Sequence, residues 1–296
     1  MEKNETKGHL IALCTIVLWG TTFISTKILL TEFKPVEILF IRFVIAFFAL
    51  LVICPQRLKG TTLRQEISFA AAGFCGICLY YLLENIALTY TLASNVGVIT
   101  SLAPFFTAIL SRISFKEEKL TLNFFVGFVV AMIGIFLISF NVSALEVNLL
   151  GDLLALLAAF VWACYSLLIK KINGFGCNIL LSTRRIFFYG IVCMIPALFL
   201  FDFHPKLVSF RNPVYVFNIA YLGLGASALC FVTWNIAVKI LGAIKTSVYI
   251  YMIPVITVTA SVVVLHEKLT VLSGVGAFLA MSGLVLSEGK SFLRKN

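Results

Sequence analysis

Charge is scarce in this sequence. Asp, Glu, Lys and Arg make up 12% of 296 residues against 61% hydrophobic, and only 13 residues are acidic. A soluble domain carries about 25% charged residues. A water-facing surface is therefore excluded, and the chain reads as a polytopic membrane protein. Chemical motifs are missing as well. No HExxH, no phosphate-binding loop and no aspartate pair falls within an apolar run, and His9, His204 and His266 lie near run ends or in links. The sequence therefore presents no metal set, no cofactor motif, no catalytic constellation and no ATPase; ATP-driven pumping would need another chain. The eight cysteines are scattered and mostly sit inside apolar runs, which excludes a disulfide framework. Cys75-Gly76-Ile77-Cys78 is formally a CxxC, but it reads as small side chains at a helix contact. No cleavage site follows the first apolar run, so that run is expected to stay as a span.

Apolar runs fill almost everything that remains. A helix needs about 20 apolar residues to cross the hydrocarbon of a bilayer. Ten runs qualify: 10–30, 36–54, 67–91, 93–115, 122–140, 149–170, 179–201, 214–238, 242–264 and 270–288. The net charge of +10 sits in the links rather than on one face, so nucleic acid is not a partner and membrane lipid is. With the N-terminus in the cytoplasm, fifteen Lys and Arg fall on inner segments and five on outer ones. That bias places both termini in the cytoplasm.

One line of sequence occurs twice. EKLTLNFFVGFVVAMIGIFL (118–137) returns as EKLTVLSGVGAFLAMSGLVL (267–286), with ten of twenty positions identical. The first span aligns with the sixth at an offset of 143, sharing the pair Trp19 and Trp162. Asn85-Ile86-Ala87 recurs at Asn235-Ile236-Ala237, and Pro104 recurs as Pro254, both at an offset of 150. Two units result, 1–145 and 146–296, each of five spans. Because five is odd, the second unit enters the membrane upside down. The expected fold class is all-α: ten transmembrane helices as two inverted five-helix repeats. Inverted repeats are a signature of secondary transporters, whose substrate sites lie near the midplane at the repeat interface.

The motifs behind this repeat resemble a known family. They are Leu18–Phe23 (LWGTTF), Arg42, Glu84–Ser94 (ENIALTYTLAS), Pro104, Glu118 and Gly127/Gly134, followed by Trp162, Arg184, Trp234–Ala243 (WNIAVKILGA), Pro254, Glu267 and Gly276/Gly283. Together they resemble the EamA family of the drug/metabolite transporter superfamily along essentially the whole chain. The resemblance implies a ten-helix carrier of small metabolites, commonly an exporter, in a cytoplasmic membrane.

Individual residues carry two readings each. Gly127 and Gly134, like Gly276 and Gly283, share one helix face and suit close helix packing. Glu118 and Glu267 precede helix starts and suit a cap or dipole role. Pro104 and Pro254 free the carbonyls of Thr100 and Ile250, as static kinks or as flex points lining a cavity. Trp19, Trp162, Trp234, Tyr80, Tyr81, Tyr165, Tyr249 and Tyr251, beside Asn85, Asn95, Thr100 and Asn235, form either packing or an amphipathic pocket. Arg42 and Glu84 are expected at matching depth, roughly 9 and 10 Å from one surface at 1.5 Å per residue. They form either a structural ion pair or a functional site. Arg184 is the repeat counterpart of Arg42, and the two are expected to orient the halves or meet an anionic group; Trp234 occupies the place of Glu84, which makes Glu84 the candidate ammonium contact or proton-coupling group. The expected function is a secondary carrier, an exporter of small polar or amphipathic metabolites such as amino acids. The alternatives are a multidrug or quaternary-cation exporter and, in another class, an intramembrane enzyme or lipid-handling scaffold.

Overall fold

The computed structural model describes residues 2–90, 93–115, 122–140, 149–265 and 271–288. Among the described residues every regular element is helical. In chain order the α-helices are α1 (Glu2–Leu29), α2 (Pro35–Ile53), α3 (Leu63–Tyr90), α4 (Ala93–Thr100), α5 (Ala103–Phe115), α6 (Leu122–Phe140), α7 (Leu149–Asn173), α8 (Ile179–Leu200), α9 (Pro213–Leu241), α10 (Ala243–Val248), α11 (Ile253–Leu265) and α12 (Val271–Glu288). Local chemistry sets several starts. Pro35 and Pro213 stand in the first turns of α2 and α9, where a missing N–H costs nothing. The Thr62, Asn178 and Asn212 side chains accept from the first free amides of α3, α8 and α9.

The fold is an all-α, polytopic membrane type, but among the described residues six helices rather than ten are long and apolar enough to cross a membrane by length and composition. They are α1, α2, α3, α7, α8 and α9. The expected fourth and ninth spans are each broken. A two-residue turn, 101–102, parts α4 from α5, and a 3-10 turn, Tyr249–Met252, parts α10 from α11. Pro104 and Pro254 explain both breaks: each lacks an N–H and crowds the carbonyl four residues back, at Thr100 and Ile250. The shorter α6 and α12 carry the duplicated line and pack on one another. A Cβ added at Gly134 would overlap the backbone of Ala280 and Gly276, and one at Gly283 that of Ala131 and Gly127. Position 127 therefore meets 283 and position 134 meets 276, so the two copies run antiparallel. Glu118, Glu267 and the 141–148 link lie outside the described residues.

Two π segments, Phe74–Leu79 inside α3 and Tyr221–Leu229 inside α9, end at positions 150 residues apart. The equivalent helices α3 and α9 finish at opposite ends of α1. A Cβ on Gly8 would touch Ile240 and Leu241 at the end of α9, while Phe23 clusters with Ala87 near the end of α3. Beside that latter end, polar links tie the two parts of the chain together. Lys34 Nζ pairs with Asp202 at 2.6 Å, Ser209 Oγ donates to Glu32 at 2.9 Å, and the buried Glu37 accepts from the amides of Lys34 and His204. Lys34 holds the Asp202 carboxyl below its ordinary range, and the Ser209 and Lys206 bonds do the same for Glu32.

Candidate functional site

The helix breaks and the aromatic positions meet at one small cavity of about 40 Å³, open at its mouth. From α1 it takes Trp19, Thr22 and Phe23; from α3, Tyr80, Tyr81 and Glu84; from α7, Trp162. Thr100 and Ala103 flank the α4–α5 break, and Ile250 and Ile253 belong to the stretch around Pro254. Five of the eleven described wall residues are aromatic and one is a carboxylate. Tyr80 stands edge-on to Tyr81 at 4.8 Å and 4.8 Å from Trp162, and Trp19 stands edge-on to Trp162 at 5.2 Å.

Hydrogen bonds lock much of the wall in place. Trp19 Nε1 donates to the Ala226 carbonyl at 2.9 Å, within the π segment of α9, where the wider turn loosens the helix's own hydrogen bonding. The hydroxyls of Thr22 and Thr100 donate to the carbonyls of Trp19 and Val96. Trp162 Nε1 is buried and has no hydrogen-bond partner. Such a donor is costly to leave unmet inside a protein.

Six of the residues expected from sequence reach this wall: Trp19, Tyr80, Tyr81, Glu84, Thr100 and Trp162. Trp234 lies just behind it, fully buried, 5.1 Å from Trp19 and 5.7 Å from Trp162. Arg42 is 2% exposed and sits behind Tyr81, its guanidinium 4.5 Å from that ring's centroid. Its Nε donates to Ser227 Oγ at 2.9 Å, and its Nη2 has no hydrogen-bond partner. No Arg42–Glu84 ion pair closes within 4.0 Å, so matching depth did not bring the two charges into contact. A cation against an aromatic face is still attracted to it.

The remaining expected residues lie elsewhere. Asn85 donates to the Pro35 carbonyl. Tyr165 donates to Asn235 Oδ1, and Asn235 Nδ2 to Thr183, a buried chain joining α7, α8 and α9. Tyr249 bonds His9 at 2.6 Å. Tyr251 is buried in a cluster with Phe124, Ala131 and Ala280. Arg184 reaches the carbonyls of Cys54 and Gln56 after α2, far along the chain from the wall residues. The neighbouring Arg185 pairs instead with Glu66 at 2.9 Å. The side chain of Asn95 lies outside the described residues.

Sequence reasoning did not single out Thr22, Phe23, Ala103 or Ile253, and it named Ile250 only for the carbonyl that Pro254 frees. It also passed over Phe231, which touches Trp19, Trp162, Tyr165, Tyr81, Phe43 and Phe187. A signal was present for some of them: Thr100 and Ala103 repeat at Ile250 and Ile253 with the proline offset of 150. Among the described residues no group of three or more His, Cys, Asp or Glu is placed to hold a metal ion.

The comparisons with known proteins agree with this architecture. A solved crystal structure matches with a TM-score of 0.78 over 98% of this chain and 99% of its own, at 17% identity, which shows a shared fold. A transporter of Archaeoglobus fulgidus is 26% identical over 97% of this chain and 99% of its own length. The Bacillus subtilis transporter YyaM is 29% identical over 92% and 90%. An Escherichia coli protein named a "probable amino-acid metabolite efflux pump" is 26% identical over 95% and 94%. The profile of the EamA-like transporter family matches residues 6–140 and again 149–288. The chain therefore belongs to the EamA-like transporter family and is a secondary membrane transporter rather than an enzyme.

Proposed function

We propose that the protein exports small amphipathic metabolites across a bacterial cytoplasmic membrane by alternating access between two inverted halves, 1–145 and 146–296. One observation carries the reading: the cavity wall pairs equivalent residues from the two halves. Trp19 faces Trp162, and Thr100 and Ala103 are matched by Ile250 and Ile253. A cavity on the repeat axis is what such a carrier needs. The antiparallel packing of α6 on α12, and the opposite ends reached by α3 and α9, support inversion. With the N-terminus cytoplasmic, the cavity lies in the outer half and Trp234 and Phe231 fill the inner half. This is then the outward-facing state, and exchanging the conformations of the halves gives the inward-facing one. The E. coli relative's name brings amino-acid metabolites within the substrate range.

The test is flux by the purified protein in sealed vesicles. Solute crossing unchanged supports the reading; absence of flux across a panel of amino acids and amines, or a chemically altered product, opposes it. Topology is tested separately. A side-specific reporter fused after residue 296 is expected to work only inside, and one in the 141–148 link only outside; the reverse of either overturns the inverted arrangement.

The proline breaks are proposed as the moving joints. Pro104→Ala and Pro254→Ala each return a backbone donor near the cavity wall. Slower exchange in vesicles with folded yield retained is the expected result. Wild-type exchange rates in both variants would mean that the breaks are static.

A further inference from the structure

We propose that the cavity selects organic monocations, amines on an aromatic or aliphatic body, and discriminates against zwitterionic amino acids. The proposal rests on the transporter reading of this cavity and narrows its substrate class.

The argument is a count of charges on the wall. Among the described residues Glu84 is the one carboxylic acid that lines the cavity, and no Lys, Arg or His lines it. The nearest buried cation, Arg42, stands behind the Tyr81 ring and directs Nε to Ser227. It touches a wall residue and is not itself among the residues that line the space. An ammonium entering the cavity meets a carboxylate, which gives a charge-assisted hydrogen bond. It also meets the faces of Trp19, Tyr80, Tyr81 and Trp162, which attract cations. A carboxylate entering the same space meets no cation among the described wall residues and has only Arg42 behind them. The protons of Thr22 and Thr100 are already given to backbone carbonyls. That leaves neutral donors such as Trp162 Nε1, which is buried and without a partner. Such a donor can hold a hydroxyl or carbonyl oxygen of the amine's body, but it does not offset a desolvated anion beside Glu84. A substrate carrying both charges gains at one end and loses at the other.

The chain supplies its own reporter. Its three tryptophans are Trp19 and Trp162 on the wall and Trp234 in contact with both, so intrinsic fluorescence reads this cavity alone. The full chain in detergent is titrated with phenethylamine, phenylalanine and 3-phenylpropionate, which share a ring and differ in charge. Expected is a saturable change with phenethylamine, affinity at least about tenfold weaker for phenylalanine, and no saturation with phenylpropionate. Glu84→Gln is expected to weaken phenethylamine at least about tenfold, read as the midpoint of its own titration. Phenylalanine binding as tightly as phenethylamine, no phenethylamine binding, or unweakened binding by Glu84→Gln overturns the proposal. Vesicle flux separates it from the reading beneath it. Phenylalanine carried in preference to phenethylamine leaves the transporter standing and removes the cation selectivity. Glu84-dependent binding of the amine with no flux of either keeps the selectivity and removes the transport.

Discussion

Gly134→Leu is expected to abolish most folded protein. The α6–α12 seam is built so that a single carbon at Gly134 already collides with the Ala280 amide and the Gly276 carbonyl. Backbone cannot retreat as a flexible side chain can, so the helices must separate along the seam. Overpacking in a close-packed interior destabilises by about 1–3 kcal/mol, and a clash with backbone on an interface of small residues falls at the upper end. Association in lipid depends on this close approach, because no hydrophobic drive holds helices together there. Gly283→Leu should behave alike, since its Cβ would strike Ala131 and Gly127. Gly274→Leu is the control: it lies on the same α12, but nothing stands within 4 Å of its Cβ position. Size-exclusion profiles and thermal unfolding in detergent check the set. A monodisperse, wild-type-like Gly134→Leu protein would show that the seam does not hold the fold.

Arg42→Ala is expected to lower stability by about 2–4 kcal/mol, combining a lost charged hydrogen bond with a vacated core volume. The guanidinium joins α2 to the π segment of α9 through Ser227 and backs the Tyr81 wall ring. Arg42→Met should recover most of the loss, because it refills the space without burying a charge whose Nη2 has no partner. Arg42→Met is also expected to slow transport, since Tyr81 loses the cation behind it. Glu84→Gln should fold without help, and its departure from additivity with Arg42→Met measures how strongly the two buried charges couple. A Glu84→Gln protein that folds only when Arg42 is also neutralised would restore the structural ion pair. Thermal unfolding of both single variants and the double variant measures this.

Much was legible along the chain. Hydropathy located the apolar runs, because crossing hydrocarbon constrains length and composition residue by residue. The duplicated line at 118–137 and 267–286 was legible in the letters alone, and so was the face of small residues that now forms the α6–α12 seam. Pro104 and Pro254 announced that two helices are disturbed. What they could not announce is that each helix ends there, which removes two of the ten expected spans; α6 and α12 account for the other two that fall short among the described residues.

Which side chains share the cavity was decided only by the tertiary structure. In an α-helix each residue advances about 100°, and a wider π turn shifts that phase. The segments at Phe74–Leu79 and Tyr221–Leu229 therefore re-aim everything after them. This is why Tyr80, Tyr81 and Glu84 reach the wall while Asn85 turns to the Pro35 carbonyl. Arg42 and Glu84, expected at one depth, likewise form no ion pair: Arg42 lies against the Tyr81 ring and bonds Ser227 instead. Composition, spans and repeat are properties of single segments, and sequence determines them by itself. A cavity depends on the rotation and tilt of helices distant in the chain, and packing alone decides those.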